Sequence, residues 1–328
     1  MGDATAAAGA NSPHLNASEQ RQAATHTSPR ALILHEIVRE DGEAALTRTP
    51  GALALSGLAG GLSMGFSFLA QSLVRADLPD EPWAHLIDSF GYSIGFIIVI
   101  LAQQQLFTES TVTAMLPVLT RRSLAVFGAT ARLWIIVLFA NLIGTWIFAG
   151  LLLPDGIFRD DVVRTLHRQA IESIPNGFGA TFLKAIFAGW LIALMVWLLP
   201  SARSARLLTV LIVTYLVSLA RLSHIVAGSV EAAYAVMSGS IALADYFVKF
   251  MAPTLLGNIV GGVALVALLN HGTVAPEILA ESGTAEGDGR PPSGASASRA
   301  GKVRRQGKPS AEPSESGGVK SKPARSFM

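Results

Sequence analysis

The chain is predicted to be an all-α membrane protein: a bundle of six transmembrane helices built as two inverted three-helix repeats, with broken second and fifth helices. Three observations predict it. First, 51% of the 328 residues are apolar and 15% are charged, against about 25% charged in soluble domains, and the mean hydropathy is +0.46. Second, six segments, near residues 52–74, 86–118, 129–153, 179–199, 205–238 and 247–270, reach the roughly 20 apolar residues that cross about 30 Å of hydrocarbon. Third, two of these segments are interrupted by polar residues at matching places, and a short motif recurs at nearly the same offset.

Residues 1–30 are rich in Ala, Ser, Asn, Thr and Gln without an apolar core, so a disordered tail is expected there and no signal peptide. Over 31–48, Leu32, Leu34, Ile37, Val38 and Ala45 take one side of a helix, and Glu36, Arg39, Glu40 and Glu43 the other. That pattern fits a helix lying at the membrane surface and, equally, one packed against the protein's own base. Residues 49–270 read as the transmembrane domain, with repeats at 49–153 and 179–270. Its first span is crowded with Gly, Ala and Ser between 51 and 65; small residues let backbones approach closely, which marks an interior helix.

The second span carries Gln103-Gln104-Gln105-Leu106-Phe107-Thr108-Glu109-Ser110-Thr111 at its middle. Unpaired backbone cannot face hydrocarbon, so irregular chain at that depth is buried in protein or lines a water-filled cavity. Between the third and fourth spans, 155–174 has alternating charge and reads as an amphipathic outer loop or surface helix. Pro200 closes the fourth span, and 201–206 make a tight turn. The fifth span is interrupted in its turn, over 220–230, around Ser223 and His224. From 271 to 328 the chain turns to Gly, Ser, Pro, Glu and Lys, the composition of a disordered basic tail, solvated or touching anionic lipid.

Arg21, Arg30, Arg39, Arg48, Arg121, Arg122, Arg132, Arg203 and Arg206 fall on one side of an even number of spans, together with the basic tail. Arg75, Arg159, Arg164 and Arg168 fall on the other. The positive-inside rule then places both termini in the cytoplasm. Asn141-Leu-Ile-Gly144 in the third span recurs as Asn258-Ile-Val-Gly261 in the sixth, 117 residues later, and Leu106 in the first break answers His224 in the second at 118. Three spans per repeat turn the second copy upside down, an arrangement typical of transporters. The half-helix after each break then begins near the midplane, with free N–H groups and a positive dipole end directed at the centre from opposite sides. Two such ends suit a small anion, each contributing about 0.3–1 kcal/mol and up to about 2 when partly buried.

Among single residues, His224 is the foremost candidate, because an intramembrane ionisable group usually marks a pathway and imidazole exchanges a proton near neutral pH; a satisfied interior histidine is the competing reading. Thr108 and Ser110 carry hydroxyls that either meet a permeant or cap the half-helix. Glu109 opposes a positive helix end and calls for a proton or a cationic neighbour such as Arg132 or Lys184. Leu106 and Phe107 suit an apolar gate or plain packing. Lys184 sits within the fourth span, where it pairs or snorkels, and Glu231 lies seven residues after His224, on the same helical face, as a partner or part of the mouth. The chain has no Cys, which removes disulfides and thiolate chemistry; no Walker-type motif or metal-ligand cluster is present, so no cofactor is expected. Nothing nucleophilic is spaced to pair with His224, so no enzyme is expected. The net charge of +2 owes much to the tail and points to topology, not to nucleic acid.

Leu106-Phe107-Thr108 at a broken second span, Asn141-Leu-Ile-Gly144, Ala188-Gly-Trp-Leu-Ile-Ala-Leu-Met-Val-Trp197, His224 at the fifth-span break and Pro253-Thr-Leu-Leu-Gly-Asn-Ile-Val-Gly-Gly262 together resemble the formate/nitrite transporter family over about residues 45–270. The resemblance implies an aquaporin-like protomer, a homopentamer in a bacterial inner membrane, and one path per protomer for small monovalent anions. It implies His224 as proton donor or relay, Leu106, Phe107 and Thr108 as the loop beside it, and Phe96 as an outer constriction. The chain departs from the family pattern at Gly189 and Gly228, where Asn is common, at Ser173, where a Lys is expected, and at Glu109, where a small residue is usual. It therefore resembles a divergent branch. The expected function is a transmembrane channel or transporter for a small monovalent anion or weak acid, drawn in by a basic vestibule and neutralised at His224 between two apolar constrictions. A channel for a neutral or cationic solute and a non-transporting membrane scaffold are the alternatives.

Overall fold

The computed structural model describes residues 16–18, 20, 31–174 and 177–276. The expected tails over 1–30 and 277–328 lie outside them, save for 16–18 and 20, while 271–276, assigned to the tail by composition, continue the last helix. The order is α1 Ala31–Thr47, α2 Pro50–Ala76, α3 Ala84–Leu101, α4 Phe107–Thr113, α5 Met115–Arg121, α6 Leu124–Leu151, α7 Asp160–Glu172, α8 Phe178–Leu198, α9 Arg206–Leu219, α10 Ala227–Met237 and α11 Ala252–Gly262. Among the described residues all regular structure is helical.

The bundle has the predicted six spans with the second and fifth broken. Four helices, α2, α3, α6 and α8, are continuous, long and apolar enough to cross a membrane by themselves. The fifth span is divided between α9 and α10. The sixth departs from the uninterrupted helix the sequence led us to expect: π-helical turns, Tyr246–Met251 and Val263–Leu268, flank the 11 residues of α11.

Small residues decide which helices touch. α2 begins on Thr49, whose hydroxyl accepts from Ala52 N–H at 3.3 Å, with Pro50 in the first turn, where its missing N–H is harmless. Its buried face includes Gly57, Gly60, Gly61 and Gly65. A Cβ on Gly61 would strike the Asn141 backbone of α6, and one on Gly144 would lie 2.6 Å from Leu58 O, so α2 and α6 meet backbone to backbone. The second repeat does the same with α8 and α11. A Cβ on Gly189 would strike the Asn258 backbone, and one on Gly257 would lie 2.5 Å from the Ala185 Cβ.

Two smaller helices close the ends. α7 starts with Asp160 and Asp161 in its first turn, which suits the positive end, and buries Val162, Leu166 and Ala170 in a cluster with Phe68, Phe148 and Tyr234. α1 buries His35, Val38, Gly42 and Ala45; a Cβ on Gly42 would run into the carbonyl of Thr113. α1 is thus packed against the base of the bundle, the second of the two readings its amphipathic pattern allowed. The 27 residues of α2, about 40 Å at 1.5 Å each, separate these ends.

Candidate functional site

Both breaks are the same device. α3 ends where Gln103 takes a left-handed φ of 52°, and α9 where Arg221 takes 50°. In each, an N–H returns to a carbonyl five residues back: Gln104 N to Val99 O at 3.0 Å, and Leu222 N to Val217 O at 3.0 Å. This is the Schellman closure, made without the glycine that usually occupies the left-handed position. The chain then plunges from exposed Gln103 to Leu106, 1% exposed, and from exposed Arg221 to His224, also 1% exposed.

Irregular backbone at such depth needs partners, and two buried asparagines supply them. Asn141 Oδ1 accepts from Phe107 N at 2.9 Å, while its Nδ2 donates to Gly57 O at 2.6 Å and Gln105 O at 3.0 Å. Asn258 Oδ1 accepts from Ile225 N at 2.8 Å, and its Nδ2 donates to Ala185 O at 2.8 Å and Ser223 O at 3.0 Å. The sequence marked these asparagines as a repeat but not as clamps; a fully amide-bonding side chain inside two apolar spans was the available signal. Phe107 N, the first N–H of α4, and Ile225 N, two residues before α10, are therefore both bonded within the protein.

The breaks meet at His224. Its Nδ1 accepts from Ala227 N–H at 3.2 Å, which leaves the proton of a neutral ring on Nε2, 2.9 Å from Thr108 Oγ1. Phe96 sits edge-on to the imidazole, ring centroids 5.1 Å apart, with Tyr92 behind it at 5.4 Å. Leu106 and Phe107 are buried, Phe107 edge-on to Trp134. The capping expected of Thr108 and Ser110 is absent. α4 starts on Leu106 without a side-chain cap, Thr108 turns to His224, and Ser110 Oγ donates back to Phe107 O at 2.6 Å.

A cavity of about 640 Å³ leads to His224 from the side of α7 and the α2–α3 loop. Ser223, Gly228, Glu231, Lys184 and Phe250 line it together with the histidine. A Cβ on Gly228 would lie 2.7 Å from the Phe250 ring, so an aromatic wall stands where a longer side chain would go. The vestibule is not basic as expected. Arg75, Arg168, Lys184 and Arg221 line it together with Asp80, Glu81, Asp88, Glu172 and Glu231, and Arg75 pairs with Asp80 and Asp88, Arg168 with Asp80 and Arg221 with Glu172. Buried Asp88 accepts from Gln71 Nε2 at 3.0 Å, lies 3.0 Å from His85 Nδ1 and 3.7 Å from Arg75 Nε; Gln71 reaches Ser218 Oγ at 3.2 Å.

The charge partners suggested for Glu109 lie elsewhere. Arg132 gives its guanidinium to the carbonyls of Leu46 and Arg48 at 2.7 and 3.4 Å, holding the α1–α2 turn, and Lys184 lines the vestibule. Glu109 Oε1 is buried without a hydrogen-bond partner among the described residues. Glu231 shares the vestibule with His224, whose two ring nitrogens are occupied by Thr108 and Ala227.

Comparison with known proteins agrees with this architecture. Inner membrane protein YfdC of Escherichia coli (strain K12) is 41% identical over 245 residues, 75% of this chain and 79% of that protein. The formate channel BtFdhC of Bacillus thuringiensis is 24% identical over 238 residues, 70% and 90% of the two chains. Among solved structures, a pentameric formate channel with formate bound superposes with a TM-score of 0.57 at 20% identity, covering 70% of this chain and 96% of that one. An FNT family ion channel gives 0.60 at 20% identity, covering 73% and 94%. The family model described as Formate/nitrite transporter matches residues 33–272, and the chain belongs to that family.

Proposed function

We propose that the chain is a transmembrane channel or transporter for a small monovalent anion or its weak acid, with a path through each protomer from the vestibule past Phe96 to His224 and Thr108, and on by Leu106 and Phe107 toward α1. The observation that carries this reading is the 2.9 Å contact between Thr108 and His224, one from each break, at the floor of a polar cavity. With Nε2–H given to Thr108 Oγ1, the threonine hydroxyl is left to donate to a permeant oxygen. A relay through this pair balances only when Nδ1 takes up a proton as Nε2 gives one, and for that Ala227 N–H must let go of Nδ1. A bare charge in hydrocarbon-like walls is penalised by several kcal/mol, most of which vanishes for the neutral acid. Relatives support a homopentamer and the bacterial inner membrane, and the side on which the loop arginines gather supports cytoplasmic termini.

A second reading, passage of a neutral or cationic solute, is favoured by one observation: five carboxylates against four fixed cations around the vestibule. Proteoliposome flux decides between them. A screen of formate, nitrite, acetate and lactate beside urea, glycerol and ammonium, at several pH values, should find acid-stimulated uptake of a monovalent anion that Thr108→Val suppresses. Uptake confined to the neutral or cationic solutes overturns the anion reading.

A further inference from the structure

At the mouth of the vestibule a carboxylate of the protein's own sits where an arriving anion would first be held. Arg75, in the last turn of α2, and Arg168, on α7, converge on Asp80 in the loop between α2 and α3. Arg75 Nη2 donates to Asp80 Oδ1, and Arg168 Nη1 lies 3.3 and 3.4 Å from Oδ1 and Oδ2. All three line the cavity that ends at His224.

The two sides of this contact are held very differently. The Arg75 side chain is 15% exposed and is fixed without Asp80, by Pro79 O at 3.0 Å and by buried Asp88, 3.7 Å from its Nε. Asp80 is 76% exposed, and among the described residues its carboxylate bonds only to the two arginines. Arg168 is 43% exposed and among the described residues bonds only to Asp80, so one fixed cation and one adjustable cation close on a loosely tethered carboxylate, the arrangement of a binding site with an internal competitor. Exposed ion pairs contribute little, so exchange with a soluble anion is nearly balanced. Glu81 and Asp88 beside the pocket limit how tightly any anion is held, as suits a site of entry.

We propose that Arg75 and Arg168 form a second anion site, for a small carboxylate or another monovalent oxyanion, and that the permeant enters by displacing the side chain of Asp80. The ligand class rests on the transport reading above; the site rests on the clasp. The test is the concentration dependence of formate influx into proteoliposomes at constant ionic strength. Asp80→Asn and Asp80→Ala should each lower the half-saturating concentration by about threefold, Arg168→Gln should raise it, and Asp80→Ala combined with Arg168→Gln should lose the gain. An unchanged half-saturation in both Asp80 variants, or a change in maximal flux alone, makes Asp80 a loop clasp and overturns the site. Absence of uptake for every anion of the screen above in the unaltered protein sinks the transport reading instead. Formate titration of the detergent-solubilised protein, followed through Trp83 three residues from Asp80, then decides the site: tighter quenching in Asp80→Asn supports it, and identical curves overturn it.

Discussion

Replacing Asn258 with alanine isolates the claim that buried amides hold the breaks open. Asn258 is fully buried and serves three backbone groups: Ile225 N–H and the carbonyls of Ala185 and Ser223. Ala185 lies within α8, where its carbonyl also has a helical partner, so the loss there is small. Ile225 N–H and Ser223 O lie in the irregular segment before α10. An orphaned buried group costs about 1–3 kcal/mol, whereas side-chain hydrogen bonds in membrane proteins average about 0.6 kcal/mol because the reference state finds other partners. Two orphans, a donor at Ile225 N–H and an acceptor at Ser223 O, fall between these limits, at roughly 2–5 kcal/mol, a drop in Tm on the order of 5–15 °C for a domain of this size. Thermal unfolding in detergent measures it, and Asn141→Ala in the first repeat should give a similar loss. A Tm within a degree of the unaltered protein in both variants, with flux intact, would refute the reasoning that these amides hold the breaks.

Thr108→Val keeps shape but removes the hydroxyl bonded to His224, so flux should fall tenfold or more while oligomer and Tm are retained, read by size exclusion and unfolding beside the flux assay. Glu109→Gln separates the two functional readings: with an anion or weak acid as permeant, flux survives or rises, and with a cationic solute it is lost. Gly228→Asn drives a side chain into Phe250, so flux and stability should both fall, with a cost of about 1–3 kcal/mol for overpacking. Adding Phe250→Ala should restore stability and widen the range of acids accepted, measured by the same uptake screen.

How much of this was legible in the sequence depends on what each residue had to reveal. Spans and breaks were plain, because hydrocarbon tolerates few polar residues and Gln103 to Ser110 violate that rule in a long apolar run. The repeat offset found Asn141 and Asn258, yet their bonds to Phe107, Ile225 and four carbonyls depend on a fold-back that no local pattern encodes. The π-helical turns around α11 were invisible for the same reason, since Tyr246 to Leu268 keeps an ordinary apolar composition. The vestibule's charge balance was misjudged because loop arginines were counted for topology without their carboxylates. Arg168 faces Asp80 from 88 residues away, and Arg75 faces Asp80 in the adjoining loop and Asp88 in α3.

The site itself comes from what the repeat does not preserve. The scaffold is nearly symmetric: left-handed Gln103 and Arg221, Asn141 and Asn258, and bonded Phe107 N and Ile225 N stand at equivalent places. At the same offset His224 faces Leu106 as its counterpart, and Thr108 corresponds to Val226. A symmetric frame with two leucines would leave a dry seam, and one with two histidines would bury two imidazoles with no hydroxyl between them. One imidazole and one hydroxyl, contributed by opposite repeats, form a single hydrogen bond across the centre. Moving the pair to the other repeat, with Leu106→His, Thr108→Val, His224→Leu and Val226→Thr, keeps composition and hydrogen-bonding capacity while inverting polarity. If the pair alone governs passage, such a variant passes the same permeant with altered pH asymmetry across the membrane; if Phe96 governs it, flux is lost, because the residue at the same offset in the second repeat is Thr214, not an aromatic.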